Sequence, residues 1–355
     1  MTGKSLETSE PATVGGQSPA VAAARPKRSG LIRRVVAVSF SLIVFAASVG
    51  YIGLTFRWGD LAQVLKGVNL LILVGGGGAS IVAYWALRTL RWRVLLRRTD
   101  THVPLVDLYM CTAVSLSFAL FTPLQSGEAL KVELLKKYGM ITRAPGYGSF
   151  LVERAFDMVA LLTMACVSLL TVVDVLPNRV YAYGILGCLI LGCFAGLVVL
   201  SRLQLSGRPR QLLETMRQCV GNVPTLVLVT AITCASWSMV AVGWQVTLYS
   251  GGIDLSFAQT VSLMSIVALI AILSLIPGGL GITEVGTSQL LIRFGFAATI
   301  AQAGSLLLRS YSLLNIALGA GHLGLWKLVR WRRSRRLGRA DATESLAATT
   351  NAPVS

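Results

Sequence analysis

Long apolar segments, separated by short polar stretches, occupy most of this 355-residue sequence. Six apolar runs each have at least the ~20 residues that an α-helix needs to cross the hydrocarbon core of a bilayer. They lie at about residues 35–56, 68–90, 149–173, 180–200, 222–249 and 300–326. The pattern predicts an all-α polytopic integral membrane protein with about six spanning helices.

Two further apolar regions, at about 105–137 and 256–295, are interrupted in the middle. Pro123 and Gly127 break the first, and the run Pro277-Gly-Gly-Leu-Gly281 breaks the second. Because proline and glycine end helices, each region is interpreted as two half-helices that enter and leave on the same side. Irregular backbone at membrane depth is stable only beside protein or a wet cavity, so we predict two re-entrant hairpins.

The order of these elements repeats along the chain. Residues 35–173 contain two helices, a hairpin and a helix, and residues 180–326 contain the same series in the opposite membrane orientation. This arrangement predicts an inverted repeat, which is frequent among transporters. We assign residues 31–335 to the transmembrane domain, and the polar segments 1–30 and 336–355 to disordered tails.

Composition and charge support membrane embedding. The chain is 54% hydrophobic and 13% charged, and its net charge is +17. The basic residues cluster between apolar segments, so no nucleic-acid partner is expected. Most of the 32 lysines and arginines fall on one side if both interrupted regions return to the side where they start. The positive-inside rule then predicts a multi-pass protein of the inner (plasma) membrane with both termini in the cytoplasm.

Several ionisable residues fall inside or beside the apolar segments, where an unpaired charge costs at least ~2.5 kcal/mol. Glu153, Arg154 and Asp157 are close enough in sequence to share one helix face. Each interrupted region also contains an acid that an arginine follows 25 or 26 residues later. The candidate substrate-binding residues are Glu128, Lys131, Glu153, Arg154, Asp157, Glu284 and Arg309, and the candidate helix-breaking glycines are Gly127, Gly279 and Gly281.

Two interpretations of this set stay open. One is a structural ion-pair network that joins the two halves, with Lys131 or Arg309 balancing the acids near Arg154. The other is a ligand site, because half-helices beginning at Ser126-Gly127 and Gly281-Ile282 would direct free amides and a helix dipole toward an anion such as a lipid phosphate. Arginine forks suit phosphate geometry. With all four acids ionised against two arginines and one lysine, the set is expected to be near neutral or slightly acidic.

Other polar features receive simpler interpretations. The run Arg88-Thr-Leu-Arg91-Trp92-Arg93 is placed at the cytoplasmic membrane interface. Contact with anionic lipids and simple anchoring of the topology both explain it, and anchoring is the default interpretation. The two histidines and six cysteines show no metal-ligand spacing. We therefore predict no metal, no cofactor and no catalytic residue.

Four segments within about residues 30–335 carry a family resemblance: Arg91-Trp92-Arg93-Val-Leu-Leu, Pro123…Ser126-Gly127-Glu128…Lys131, Glu153-Arg154-Ala-Phe-Asp157 and Pro277-Gly-Gly-Leu-Gly281-Ile-Thr-Glu284. They resemble the flippase-like transmembrane region of lysylphosphatidylglycerol synthases, which also occurs as a stand-alone protein. The resemblance implies a polytopic inner-membrane protein that moves or modifies anionic or isoprenoid lipids. Only a short polar segment follows the last basic cluster, so aminoacyl transfer by this chain alone is not expected.

Three functions remain open from the sequence. The preferred one is a flippase-like transporter that moves an anionic or isoprenoid-phosphate lipid between leaflets without an ATP site of its own. The second is an enzyme that transfers a group to or from a lipid phosphate, which the sequence supports less because acid-rich metal motifs are missing. The third is a non-catalytic membrane subunit that partners a glycosyltransferase or a lipid-modifying synthase.

Overall fold

The computed structural model describes residues 66–120, 122–172 and 208–350, together with a few isolated positions elsewhere. Side chains are described as far as residue 330. The helices predicted at 35–56 and 180–200 and the tail predicted at 1–30 lie outside the described residues. Within the described ranges every regular element is a helix.

A π-helical turn, Ile72–Gly76, leads into the first α-helix. The α-helices are α1 (Gly77–Arg97), α2 (Leu105–Ala119), α3 (Leu130–Lys137), α4 (Arg143–Thr171), α5 (Arg208–Val220), α6 (Val223–Ser250), α7 (Phe257–Ser274), α8 (Ile282–Arg293) and α9 (Ala298–Thr350).

Three of these helices are long and apolar enough to cross a membrane: α6, α7 and the Ala298–Arg330 part of α9. Their length and hydropathy support a membrane protein. The two arms of the second interrupted region are unequal, because α7 has 18 residues and α8 has 12. At 1.5 Å per residue, α7 is roughly 27 Å long and α8 roughly 18 Å, so only α7 has the length of a full span.

Both interrupted regions are broken in the structure. α2 ends at Ala119, and a 3-10 helix, Pro123–Ala129, leads into α3. The new helix thus starts in 3-10 form at Pro123 rather than at Ser126, since proline is favoured in a first helical turn. The second break has positive φ angles of 58° at Leu275, 63° at Gly278, 60° at Gly279 and 84° at Gly281. Its short helix, α8, begins at Ile282 as predicted.

The two breaks contact each other. A Cβ atom added to Gly278 would lie only 2.8 Å from the carbonyl oxygen of Leu120, so the two backbones meet at a point that only glycine permits. The packing around them is reciprocal: α1 packs on α6, α4 packs on α7, and α9 packs on α2. Helices from the two sequence halves are therefore paired across the molecule.

The last helix is longer than predicted. The backbone of α9 stays helical to Thr350, whereas residues 336–355 were predicted to be a disordered tail. The stretch that follows the apolar part of α9, residues 331–350, contains five arginines and four alanines, and both residue types have high helix propensity. These residue types favour continuation of the helix beyond its apolar part.

Candidate functional site

A cavity of about 210 Å³ lies between the two breaks. Leu120 and Thr122 line it from the first break, and Gly278 and Gly279 line it from the second. Much of the remaining wall is apolar and comes from α6, α7 and α9, including Val240, Met264, Val267, Ile272 and Leu308. The cavity thus joins the two places where the sequence interrupts its helices.

Seven ionisable side chains cluster beside the first break. α1 supplies two arginines, the 3-10 helix and α3 supply a glutamate and a lysine, and α4 supplies two acids and an arginine. Six of them are at most 4% exposed: Arg88, Arg91, Glu128, Lys131, Glu153 and Asp157. The seventh, Arg154, has a side chain that is 23% exposed.

Asp157 and Glu128 are the centres of this cluster. Arg88 Nη1 lies 2.5 Å from Asp157 Oδ2, and Arg88 Nη2 lies 2.5 Å from Glu128 Oε1. Arg91 donates to both oxygens of Asp157, at 2.7 and 3.0 Å. Arg154 Nη2 donates to Asp157 Oδ2 at 2.6 Å and also pairs with Glu128. Each carboxylate therefore holds more than one guanidinium.

Lys131 completes the cluster from α3. Its Nζ lies 3.2 Å from Glu128 Oε1 and also contacts Glu153 Oε2. The ammonium group sits 4.4 Å from the centroid of the Trp92 ring. Lys131, rather than Arg309, therefore supplies the positive charge beside Glu153, one of the acids that the sequence analysis expected to need it.

Arg88 and Arg91 correct the sequence interpretation, which placed them at the membrane interface as anchors. They are 1% and 0% exposed and pair with acids, because the three carboxylates of this cluster need more cations than Lys131 and Arg154 supply. One sequence signal for Arg88 is its helical spacing from Trp85 and Trp92, which puts it on the same face of α1 as two large aromatic side chains; this spacing indicates burial but not the acidic partners. With these two arginines, the first cluster has four cations and three acids and is not slightly acidic.

A smaller ion pair holds the second break. Arg309 Nε donates to Glu284 Oε1 at 2.5 Å, Nη1 donates to Gly278 O at 3.1 Å, and Nη2 donates to Thr283 Oγ1 at 2.8 Å. Glu284 Oε2 accepts the backbone N–H of Gly281 at 2.8 Å. The N-terminus of α8 was predicted to offer free backbone amides to an anion. The Glu284 carboxylate already accepts a hydrogen bond from one of them, the Gly281 N–H.

The predicted site residues separate into two groups around the cavity. Arg154, Asp157, Glu284, Arg309 and Gly279 line it. The other predicted residues, which belong to the surroundings of the cavity rather than to its lining, are Gly127, Glu128, Lys131, Glu153 and Gly281. Gly127 has its own reason to be glycine, since its N–H donates to Thr122 Oγ1 at 2.7 Å and an added Cβ would lie 3.1 Å from Ala119 Cα.

Three N–H donors on cavity-lining side chains have no hydrogen-bond acceptor within the described part of the chain. They are Arg88 Nε, Arg154 Nε and Trp237 Nε1, and all three atoms are buried. Trp237 was not among the predicted residues, because an isolated tryptophan in an apolar run gives no sequence signal for a site. By contrast, all three nitrogens of the Arg309 guanidinium donate to protein oxygens.

Comparison with known proteins adds one match. A family model described as the lysylphosphatidylglycerol synthase TM region matches residues 36–319. The matched range contains both breaks and every residue of the two charged clusters. The search of curated proteins gives no match for the chain.

Proposed function

Since the chain belongs to the lysylphosphatidylglycerol synthase TM region family, whose members are linked to lipid modification or flipping, we propose that it moves a lipid between membrane leaflets. The lipid carries an anionic or isoprenoid-linked phosphate headgroup. The observation that carries this proposal is the cavity shared by the two breaks, which charged residues line beside both breaks and apolar side chains line over much of the remaining wall.

A lipid crossing a membrane needs two environments at once. Its headgroup requires hydrogen-bonding partners at a depth where a charge is costly, while its acyl chains remain in an apolar environment. The cavity offers the N–H donors of Arg154 Nε and Trp237 Nε1 to the headgroup, and side chains such as Met264 and Ile272 to the apolar part. This division of the lining suits an amphiphile better than a fully polar solute.

The charge and hydrogen-bond balance favours an anionic headgroup. Across both clusters, five cations face four acids, so one positive charge is left when all are ionised. A buried donor without an acceptor costs about 1–3 kcal/mol. A phosphate oxygen that meets Arg88 Nε, Arg154 Nε or Trp237 Nε1 after a side-chain rotation removes that cost.

The reciprocal packing supports an inverted repeat as the mechanical basis of transport. α1 and α6 occupy corresponding places in the two predicted halves. The long helix after the first broken region, α4, packs on α7 before the second break, and the long helix after the second broken region, α9, packs on α2 before the first break. In transporters with inverted repeats, the site lies at the repeat interface and broken helices contribute to it. The two breaks in contact at one cavity fit that arrangement, with six spans, two re-entrant hairpins and cytoplasmic termini.

Reconstitution of the purified chain tests the proposal. Vesicles with the protein and a fluorescent phosphatidylglycerol or isoprenyl phosphate are treated with an impermeant quencher, and the fraction of protected probe is followed. Ala268 lines the cavity, so Ala268→Trp should fill it and abolish movement. Ala235 is exposed on α6, so Ala235→Trp is the matched control and should behave as wild type.

Two results contradict the proposal. One is wild-type protein that moves neither probe faster than empty vesicles do, which would favour the subunit or enzyme alternatives. The other is equal movement by wild type and a folded Ala268→Trp variant, which would place the path outside this cavity.

A further inference from the structure

A second cavity, of about 280 Å³, lies where α1 ends and α2 begins. Arg93, Arg97, Thr101 and His102 line it, and Leu96 and Leu108 form its apolar part. Among the residues that the structure describes, it shares none with the cavity between the breaks. Its function is therefore not explained by the proposed transport path.

The arginines of this second cavity lack acidic partners among the described residues. Arg93 and Arg97 are four residues apart and so lie on one face of α1. Four other arginines form ion pairs with carboxylates: Arg88, Arg91, Arg154 and Arg309. Half-buried Arg93 forms no such ion pair with the described residues. A partly desolvated guanidinium without a counter-charge favours an anion from outside the chain.

The nearest acids in sequence do not neutralise this cavity. Asp100 is exposed and is not part of its lining. Asp107 is buried and committed elsewhere, since Oδ1 accepts the Trp326 Nε1 hydrogen at 3.1 Å and lies 3.7 Å from Arg330 Nη1. The positive charge of Arg93 and Arg97 is thus available to a ligand.

Hydrogen bonds within the chain fix the connection that lines this cavity. The Thr101 N–H donates to Leu96 O at 3.2 Å, and the hydroxyls of Thr99 and Thr101 lie 3.1 Å apart, so the connection between the helices is held in place. Leu96 and Leu108 are 1% and 0% exposed. A fixed polar rim above an apolar base reduces the ordering that binding requires.

We propose that this cavity binds one phosphate group at a peripheral site, held by the guanidinium forks of Arg93 and Arg97. The phosphate belongs either to the headgroup of an anionic lipid beside the protein or to a small soluble phosphate compound. The site is separate from the transport path, and it lies on the cytoplasmic side in the topology proposed above.

Binding to the full chain in nanodiscs tests this site and separates the two sources. Native mass spectrometry measures retained phosphatidylglycerol in discs that contain it, and titration into phosphatidylcholine discs measures binding of inorganic phosphate. The variant is Arg93→Gln with Arg97→Gln. The matched control is Lys137→Gln with Arg293→Gln, which removes two exposed cations elsewhere.

We expect the Arg93/Arg97 variant to bind at least about tenfold more weakly than wild type, the effect of losing one charge-assisted hydrogen bond, and the control to match wild type. Loss of lipid retention identifies a lipid headgroup, and loss of inorganic phosphate binding alone identifies a soluble compound. Equal binding by variant and wild type, or equal loss in the control, overturns the proposal. If the double variant does not fold, Arg97→Gln, at an exposed position, is read in the same way.

Discussion

At the scale of single residues, Lys131 shows how strongly the first cluster depends on each charge. Its side chain is fully buried between Glu128 and Glu153 and over Trp92. Lys131→Met should lower the free energy of unfolding by roughly 3 kcal/mol, because the buried Oε2 atom of Glu153 loses its ammonium partner. Thermal unfolding in detergent measures the loss. Lys137→Met, on the exposed end of α3, is the control and should change the Tm little. An unchanged Tm for Lys131→Met would contradict the ion-pair network.

The two cavity arginines should respond differently to substitution. The nitrogens of Arg309 are all engaged by Glu284, Gly278 and Thr283, so Arg309→Lys should lower the Tm by losing at least two of these bonds. Arg154 keeps a free Nε, so Arg154→Lys should mainly weaken lipid binding by the loss of the guanidinium fork.

Thermal unfolding and phosphatidylglycerol binding, measured on the same two preparations, separate these effects. Full lipid binding by Arg154→Lys would show that this arginine is structural. A normal Tm for Arg309→Lys would show that the second break does not depend on it. The substrate-binding role that the sequence suggested for both Arg154 and Arg309 is thereby divided into two separately testable roles.

At the scale of elements, glycine conformation decides whether the second break forms. Gly281 has φ 84° and ψ −53° at the start of α8, a region that costs other residues about 1–3 kcal/mol. Gly281→Ala should therefore lower both the Tm and transport. Gly286 lies inside α8, where an added Cβ would make ordinary contacts at 3.6 and 3.8 Å, so Gly286→Ala should raise stability by up to about 1 kcal/mol. If Gly281→Ala and Gly286→Ala change the Tm in the same direction and by the same amount, α8 does not require the positive φ angle at Gly281.

At the scale of the whole molecule, α6 should place the segments at its two ends on opposite sides of the membrane. Single cysteines at Lys137 and Arg210 should react with an impermeant reagent only from the cytoplasm, and a cysteine at Asp254 only from outside. All three positions are exposed, so the accessibility of each cysteine to the reagent depends on the side of the membrane where it lies and not on its burial in the protein. The control removes exposed Cys234 from the background. Labelling of Lys137 from outside would exclude the first re-entrant hairpin, and same-side labelling of Arg210 and Asp254 would exclude α6 as a span.

The sequence by itself determined the helical membrane class and the positions of the two breaks. Apolar run length and the placement of proline and glycine are local properties, and they act on the backbone wherever the chain folds. The spacing from Glu128 to Arg154 and from Glu284 to Arg309 also proved informative, since both pairs form in the structure.

Only the tertiary structure decided which charges meet and what the breaks enclose. Arg88 and Arg91 stand at the end of an apolar run, where hydropathy cannot distinguish an interfacial arginine from one that is buried against acids on α4. The contact of Gly278 with Leu120, the free donor of Trp237 and the occupation of the α8 start by Glu284 likewise depend on elements far apart in sequence. Such pairings depend on distances between helices, which no local pattern of residues specifies.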